Sequence, residues 1–280
     1  MKHIRAVAIH DISCMGRCSL TVALPILSAA GIEASVIPTA ILSTHTAGFS
    51  GYTFRDLTDD MEPIAAHWQS LRPAFDAIYT GYLGSFRQLE IVADLFDKLG
   101  GADTLIAVDP AMADNGKLYP AFSAEFAGGM AGLVARADLA VPNITEACLM
   151  LGAPYRENYD QAYILELVKG VCRLGPRRTV LTGVSLSPGE LGAAAYDSVT
   201  GDFTLAQARR IPGYYHGTGD IYASCLVAAL LRGQGLTQAA QTAVNFVVRS
   251  IESTRAEPGA DIKYGVNFEH VLASGDWLNG

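Results

Sequence analysis

The sequence predicts an α/β protein of three layers, with helices on both faces of a mostly parallel sheet that carries an antiparallel edge. Three observations point there. Short apolar runs that end in polar, Gly or Pro residues alternate with longer segments of helical period, the pattern of βαβ units. Hydrophobic residues make up 50% of the chain and charged residues 17%, which suits a large core and excludes a disordered chain. A turn-rich stretch, Ser198-Val199-Thr200-Gly201-Asp202, divides residues 191–206 into two strand-like pieces, as in a β-hairpin.

Taken in order, the apolar run 5–10 is the first strand, and 19–30, apolar at three- and four-residue spacing, is a helix. Strands follow at 34–39 and 76–81, then a helix at 86–99, a strand at 104–109 and a strand at 139–143. Helices at 144–151 and 160–173 lead to a sixth strand at 179–182 and the hairpin. Beyond it the chain turns helical, with strongly periodic segments at 220–231 and 237–254 separated by Gly233 and Gly235. No repeat, low-complexity tract or linker interrupts the 280 residues, so one domain spanning 1–280 is expected.

Charge and cysteines narrow the function. Twenty basic against 28 acidic residues give a net charge of -8, the wrong sign for coating nucleic acid or an anionic membrane. The five cysteines are scattered in a chain too long to need staples, so they are read as reduced thiols. Cys14 and Cys18, four apart, are read as small core residues that could share a helix face. No apolar stretch is long enough to span a bilayer and the N-terminal residues show no leader pattern, so a cytoplasmic protein is expected. That context also argues against glycosylation at Asn143-Ile144-Thr145.

In open parallel sheets, ligands bind beyond the carboxyl ends of the strands. Here those ends are polar: His10-Asp11-Ile12-Ser13, Gly81-Tyr82, Asp109-Pro110, Asn143 followed by Glu146, and Thr182-Gly183. The segment Gly217-Thr218-Gly219-Asp220 opens a long apolar helix. Two glycines and a helix N-terminus make an anion hole suited to a phosphoryl group, and Asp220 is placed to take a proton from an attacking hydroxyl. An isolated Asp at this position is equally a dipole-favoured helix residue, and the acidic rim tips the balance. The chain has no GxxxxGK[ST] and no GxGxxG, which excludes a P-loop enzyme and disfavours a nicotinamide oxidoreductase.

With these residues in view, the chain resembles the ribokinase-like superfamily of small-molecule kinases, and within it the pyridoxal kinases. The broader resemblance rests on Gly217-Thr218-Gly219-Asp220, Asp109-Pro110 and Asn143-x-x-Glu146. The narrower one rests on Ser43-Thr44-His45-Thr46, Gly81-Tyr82-Leu83-Gly84-Ser85 and Asp109-Pro110-Ala111-Met112-Ala113-Asp114. It implies ATP-dependent phosphorylation of the 5′-hydroxymethyl group of a B6 vitamer, with Asp220 as base and Gly217, Thr218 and Gly219 as the anion hole. It further implies that Asp109 and Glu146 serve Mg²⁺, that Asn143, Thr182, Thr218 and Asp114 line the nucleotide, and that residues 111–119 form a lid. Asp11, Ser13, His45, Thr46 and Tyr82 would contact the vitamer. A monovalent cation such as K⁺ and a homodimer are also implied.

One departure stands out: Asp11 occupies a position where many members carry serine, and an acid there could bond a ring nitrogen or an amine. It leans toward a related substrate, hydroxymethylpyrimidine, which is the alternative reading. A non-catalytic pyridoxal phosphate carrier on the same fold is disfavoured because Asp220 and the acidic rim are intact. A ribokinase-type sugar kinase is disfavoured because no multi-strand insertion is evident between the first strand and Leu57.

Overall fold

The computed structural model describes residues 3–46 and 48–278. Among them one nine-stranded sheet is built from β1 (Ile4–Met15), β2 (Ile32–Thr44), β3 (Phe54–Asp56), β4 (Ala77–Thr80), β5 (Leu105–Val108), β8 (Leu139–Ala140), β9 (Arg178–Val184), β10 (Glu190–Asp197) and β11 (Phe203–Arg209). The separate pair β6 (Ala113–Asp114) and β7 (Lys117–Leu118) forms a small hairpin. The sheet order is β11-β10-β9-β8-β5-β4-β1-β2-β3. Strands β2, β1, β4, β5, β8 and β9 run parallel, β10 pairs antiparallel with both β9 and β11, and β3 pairs antiparallel with β2.

Both faces are covered, because short parallel strands such as β4, buried at every position, expose apolar side chains to either side. One face carries α1 (Leu20–Ala29), α7 (Thr218–Leu231), α8 (Leu236–Ala256) and α9 (Glu269–Ala273), with Ile26, Leu226, Phe246 and Val271 in its core. The other carries α2 (Thr58–Leu71), α3 (Phe86–Leu99), α4 (Ala124–Val134), α5 (Ile144–Leu151) and α6 (Gln161–Leu174), around Met61, Leu95, Met130 and Val168. Helix α7 buries nine consecutive residues, Ile221 to Ala229. A helix apolar all round belongs in the interior, and this one packs against α1 and α8, with its Ser224 hydroxyl 3.4 Å from that of Tyr79 on β4.

Four expectations are corrected. The first two strands continue well past positions 10 and 39, and with β3 they form a three-stranded extension where no insertion was expected. Their β-branched and apolar residues sustain pairing through Ser13↔Leu42 and Met15↔Thr44. Helices α2 and α4 and the β6–β7 hairpin also lie where the sequence pattern predicts no element. Pro63 within α2 masks its period, and Gly128, Gly129 and Gly132 dilute that of α4. Cys14 is an exposed strand residue and Cys18 is half-buried in a turn, so the two share no helix face and Cys14 is not core.

Candidate active site

Consecutive parallel strands diverge between β1 and β4, the point at which a crevice opens at the strands' carboxyl ends. The register of β1 against β2 shifts between His10 and Ile12, with Thr39 and Ala40 facing the single residue Asp11. Such a bulge re-aims a side chain, and Asp11 is 4% exposed, with Ser13 Oγ donating to its Oδ2 at 3.1 Å. Across the divergence, Gly81 lets the two strands close up, since a Cβ there would fall 2.2 Å from His10 Nδ1. The His10 ring is fully buried against Tyr79, and burial lowers its pKa to about 3, so it is a neutral imidazole.

Asp220 stands in the first turn of α7. Gly217 precedes it at φ 74, and any Cβ would collide with Arg17 O at 2.1 Å, so only glycine fits. Gly219 faces open space. The helix start is therefore a backbone cradle, walled at Gly217 and open at Gly219, with free N–H groups and the positive end of the dipole. Thr218 Oγ1 donates to Tyr215 O at 3.1 Å and braces the loop. Burial raises the Asp220 pKa, while the Ser19 backbone and the Cys18 thiol, whose Sγ lies 3.2 Å from Asp220 Oδ2, oppose that rise.

Three further carboxyls face Asp220 or one another. Burial, then the Asp220 charge, raises Asp11 to about 6, with the neighbouring Ser19 and Ser13 hydroxyls opposing the rise. Asp109, which follows β5, is pushed well above its ordinary range by burial and by the charges of Glu146 and Asp220. Glu146 is raised to about 8 by burial, with backbone hydrogen bonds resisting. Its Oε1 accepts from Met112 and Ala113 N–H at 3.0 and 3.4 Å, and its Oε2 from Asn143 N–H at 2.9 Å.

Asn143 completes a capping box on α5: its Oδ1 accepts from Glu146 N–H, and its Nδ2 donates to Ala113 O at 2.7 Å. Glu146 and Asn143 thus tie the 111–113 segment to α5 and spend most of their polar capacity doing so. Thr182 bridges Asn143 across the sheet, its hydroxyl 3.5 Å from Pro142 O. The following hairpin turns on Asn115 (φ 50) and Gly116 (φ 75), the pair a type I′ turn requires. Tyr214 donates to Asp114 Oδ2 at 3.0 Å, so the hairpin meets the loop before α7.

The predicted residues are thus partly gathered. Asp11, Ser13, Asp109, Tyr82 and Asp220 converge, with Tyr82, whose ring lies 5.5 Å from Phe122, pushed by burial and the Asp11 charge to about 12. His45 is buried, its Nε2 bonded to Lys263 O at 2.7 Å and its ring 5.1 Å from His216. Thr46 is exposed beside it. Sequence reasoning missed Cys18 and Ser19, which carry no motif of their own. Among the described residues no group of three acid, His or Cys side chains forms a metal cage. A cation site here fits one that leans on the Asp109 carboxyl and on substrate phosphates, the habit of Mg²⁺. A cavity of about 540 Å³, lined by Asp197, Thr204 and Gln241, lies at the opposite, amino-terminal end of β9, away from these groups.

A mostly parallel sheet with a switch-point acid, a glycine-walled helix start and an adjoining aspartate is the arrangement of ribokinase-like small-molecule kinases. The chain belongs to the family described as phosphomethylpyrimidine kinase, whose model matches residues 24–265. A Bacteroides thetaiotaomicron protein named for that kinase, crystallised with pyridoxal, superposes with a TM-score of 0.93 at 37% identity, over 98% of this chain and 96% of that one. Pyridoxal kinase from Lactobacillus plantarum superposes at 0.90 with 30% identity, over 99% and 98% of the two chains. The pyridoxine/pyridoxal/pyridoxamine kinase of Bordetella avium is 26% identical over 88% of this chain and 84% of its own.

Proposed function

We propose that this chain is a single kinase domain that transfers the γ-phosphoryl group of ATP to the 5′-hydroxymethyl group of pyridoxal, pyridoxine or pyridoxamine. The observation that carries the reading is the buried Asp220 carboxyl beside the open cradle of α7. Asp220 takes the hydroxyl proton as the oxygen attacks phosphorus, and its raised pKa brings it nearer to that task. The amides of residues 217–220 receive the negative charge carried by the transferring group's oxygens.

Asp109 would hold a divalent cation, with Glu146 supporting it through water or through the loop it ties down. Mg²⁺, when bound, neutralises the triphosphate charge, which the site itself meets with acids. Asn143, Thr182 and Thr218 border the nucleotide, a monovalent cation such as K⁺ assists there, and the 111–119 segment with Asp114 covers the phosphates. Asp11, Ser13 and Tyr82 receive the ring, with His45 and Thr46 at the entrance. A homologue crystallised with pyridoxal and another named pyridoxal kinase support the vitamer; a cytoplasmic homodimer completes the reading. Hydroxymethylpyrimidine is the second reading, favoured by the family model and by Asp11, whose carboxyl suits an aminopyrimidine edge.

The test is ATP-dependent ADP release with the three vitamers and hydroxymethylpyrimidine side by side. Turnover of a vitamer is expected. Turnover of the pyrimidine alone transfers the same chemistry to the second reading, and turnover of none overturns both.

A further inference from the structure

The turn between β1 and α1 carries more polar chemistry than a connection needs. Ser19 holds φ 55 and ψ -127, a region that side-chain-bearing residues avoid. It is the N-cap of α1, yet its side chain makes no capping bond, although serine favours that bond. Its hydroxyl points instead to Cys18 Sγ at 3.9 Å, and Ser19 lies close enough to Asp11 and Asp220 to favour the charged form of both. Beside it, Cys18 Sγ lies 3.2 Å from Asp220 Oδ2. Thr21 fixes Cys18 from below, accepting from its N–H at 3.2 Å and donating to its carbonyl at 2.8 Å. Two adjacent residues of one turn therefore border both carboxyl groups, with the Cys18 thiol as the donor in contact with Asp220.

We propose that Cys18 is a positioning residue for the phosphoryl-transfer base, its S–H holding the Asp220 carboxylate toward the substrate hydroxyl within a frame set by the strained Ser19. This rests on Asp220 being that base. Burial and the charges of Asp220 and Asp11 keep the thiol protonated, so it donates a proton to the hydrogen bond and is not a thiolate nucleophile. The titratable groups that face Asp220 are Asp11 on β1, Cys18 in the turn, His45 after β2, Tyr79 on β4 and Asp109 after β5. Of these described groups, Cys18 is the one whose side chain hydrogen-bonds to it.

The experiment is the pH dependence of kcat and KM from about pH 5 to 9 for the full chain, Cys18→Ala, Cys18→Ser and Asp220→Asn. Losing the donor makes the carboxylate a stronger base, so the acid limb of kcat for Cys18→Ala moves to higher pH. The expected loss is about tenfold at pH 6, shrinking toward pH 9, with the vitamer KM unchanged. Cys18→Ser restores the limb, because a hydroxyl donates from the same place. A loss uniform across pH, or an unshifted limb with Asp220→Asn inactive, overturns the positioning role alone. Wild-type turnover by Asp220→Asn would instead remove the base on which the role depends.

Discussion

Asp11→Asn separates what this site does for activity from what it does for stability. The native carboxyl titrates near 6 against an ordinary 3.8, a rise caused first by burial. Below pH 3.8 both the folded and the unfolded chain hold the proton, and the variant, an isostere of the neutral acid, changes little. As pH climbs through the window from 3.8 to about 6, the unfolded chain ionises first, and stability is lost. Above that window the folded protein carries a buried charge that costs up to about 3 kcal/mol, from roughly two pKa units at about 1.4 kcal/mol each. Asparagine removes the charge and still accepts from Ser13 through its amide oxygen. Thermal unfolding without ligands at pH 8 is expected to show Asp11→Asn melting roughly 4–8 °C above wild type. The gap closes at about pH 4, and vitamer KM rises in the same variant. Equal melting temperatures at both pH values would refute the claim that burial of the Asp11 charge costs stability.

Other perturbations test other parts of the site. Gly217→Ala drives a Cβ into Arg17 O and forces φ 74 on alanine. It is expected to lower kcat at least about 100-fold with a loss of roughly 2 kcal/mol in denaturant unfolding; near-normal kinetics would show that the cradle tolerates reshaping. Glu146→Ala strands the buried N–H groups of Met112 and Ala113 and the half-buried one of Asn143. It is expected to destabilise by about 2–4 kcal/mol and to speed hydrogen exchange in residues 111–119, and unchanged exchange there would contradict the tether. Tyr214→Phe deletes the hydroxyl that reaches Asp114. The expected outcome is an ATP KM raised about two- to fivefold with little change in stability, and an unaltered KM would mean that the contact does not hold the hairpin closed.

Much of the parallel sheet was legible because each buried strand advertises itself as an apolar run with a polar stop, as Ala77–Thr80 does before Gly81-Tyr82. The acidic rim was legible for the same reason: the stop is where the ligand end lies. The extension of β1 and β2 was not, because a half-exposed segment such as Asp11 to Met15 alternates too irregularly to read as strand. Asn115-Gly116 offered a hairpin signal that was available and unread. The roles of Cys18 and Ser19 had no such signal. They arise from a chain reversal that brings residue 18 to residue 220, and no local pattern encodes a contact 202 positions long. For Asn143 and Glu146 the spacing was visible, whereas their use as a tether required the position of Ala113.

The most direct measurement is phosphorus NMR of the reaction of ATP with pyridoxal, run with the wild-type chain and with Asp220→Asn. The expected result is a new phosphate monoester on the hydroxymethyl carbon, formed in step with ADP and slowed about a thousandfold or more in the variant. ADP appearing with inorganic phosphate and no monoester, or equal rates from the two proteins, would contradict phosphoryl transfer through Asp220.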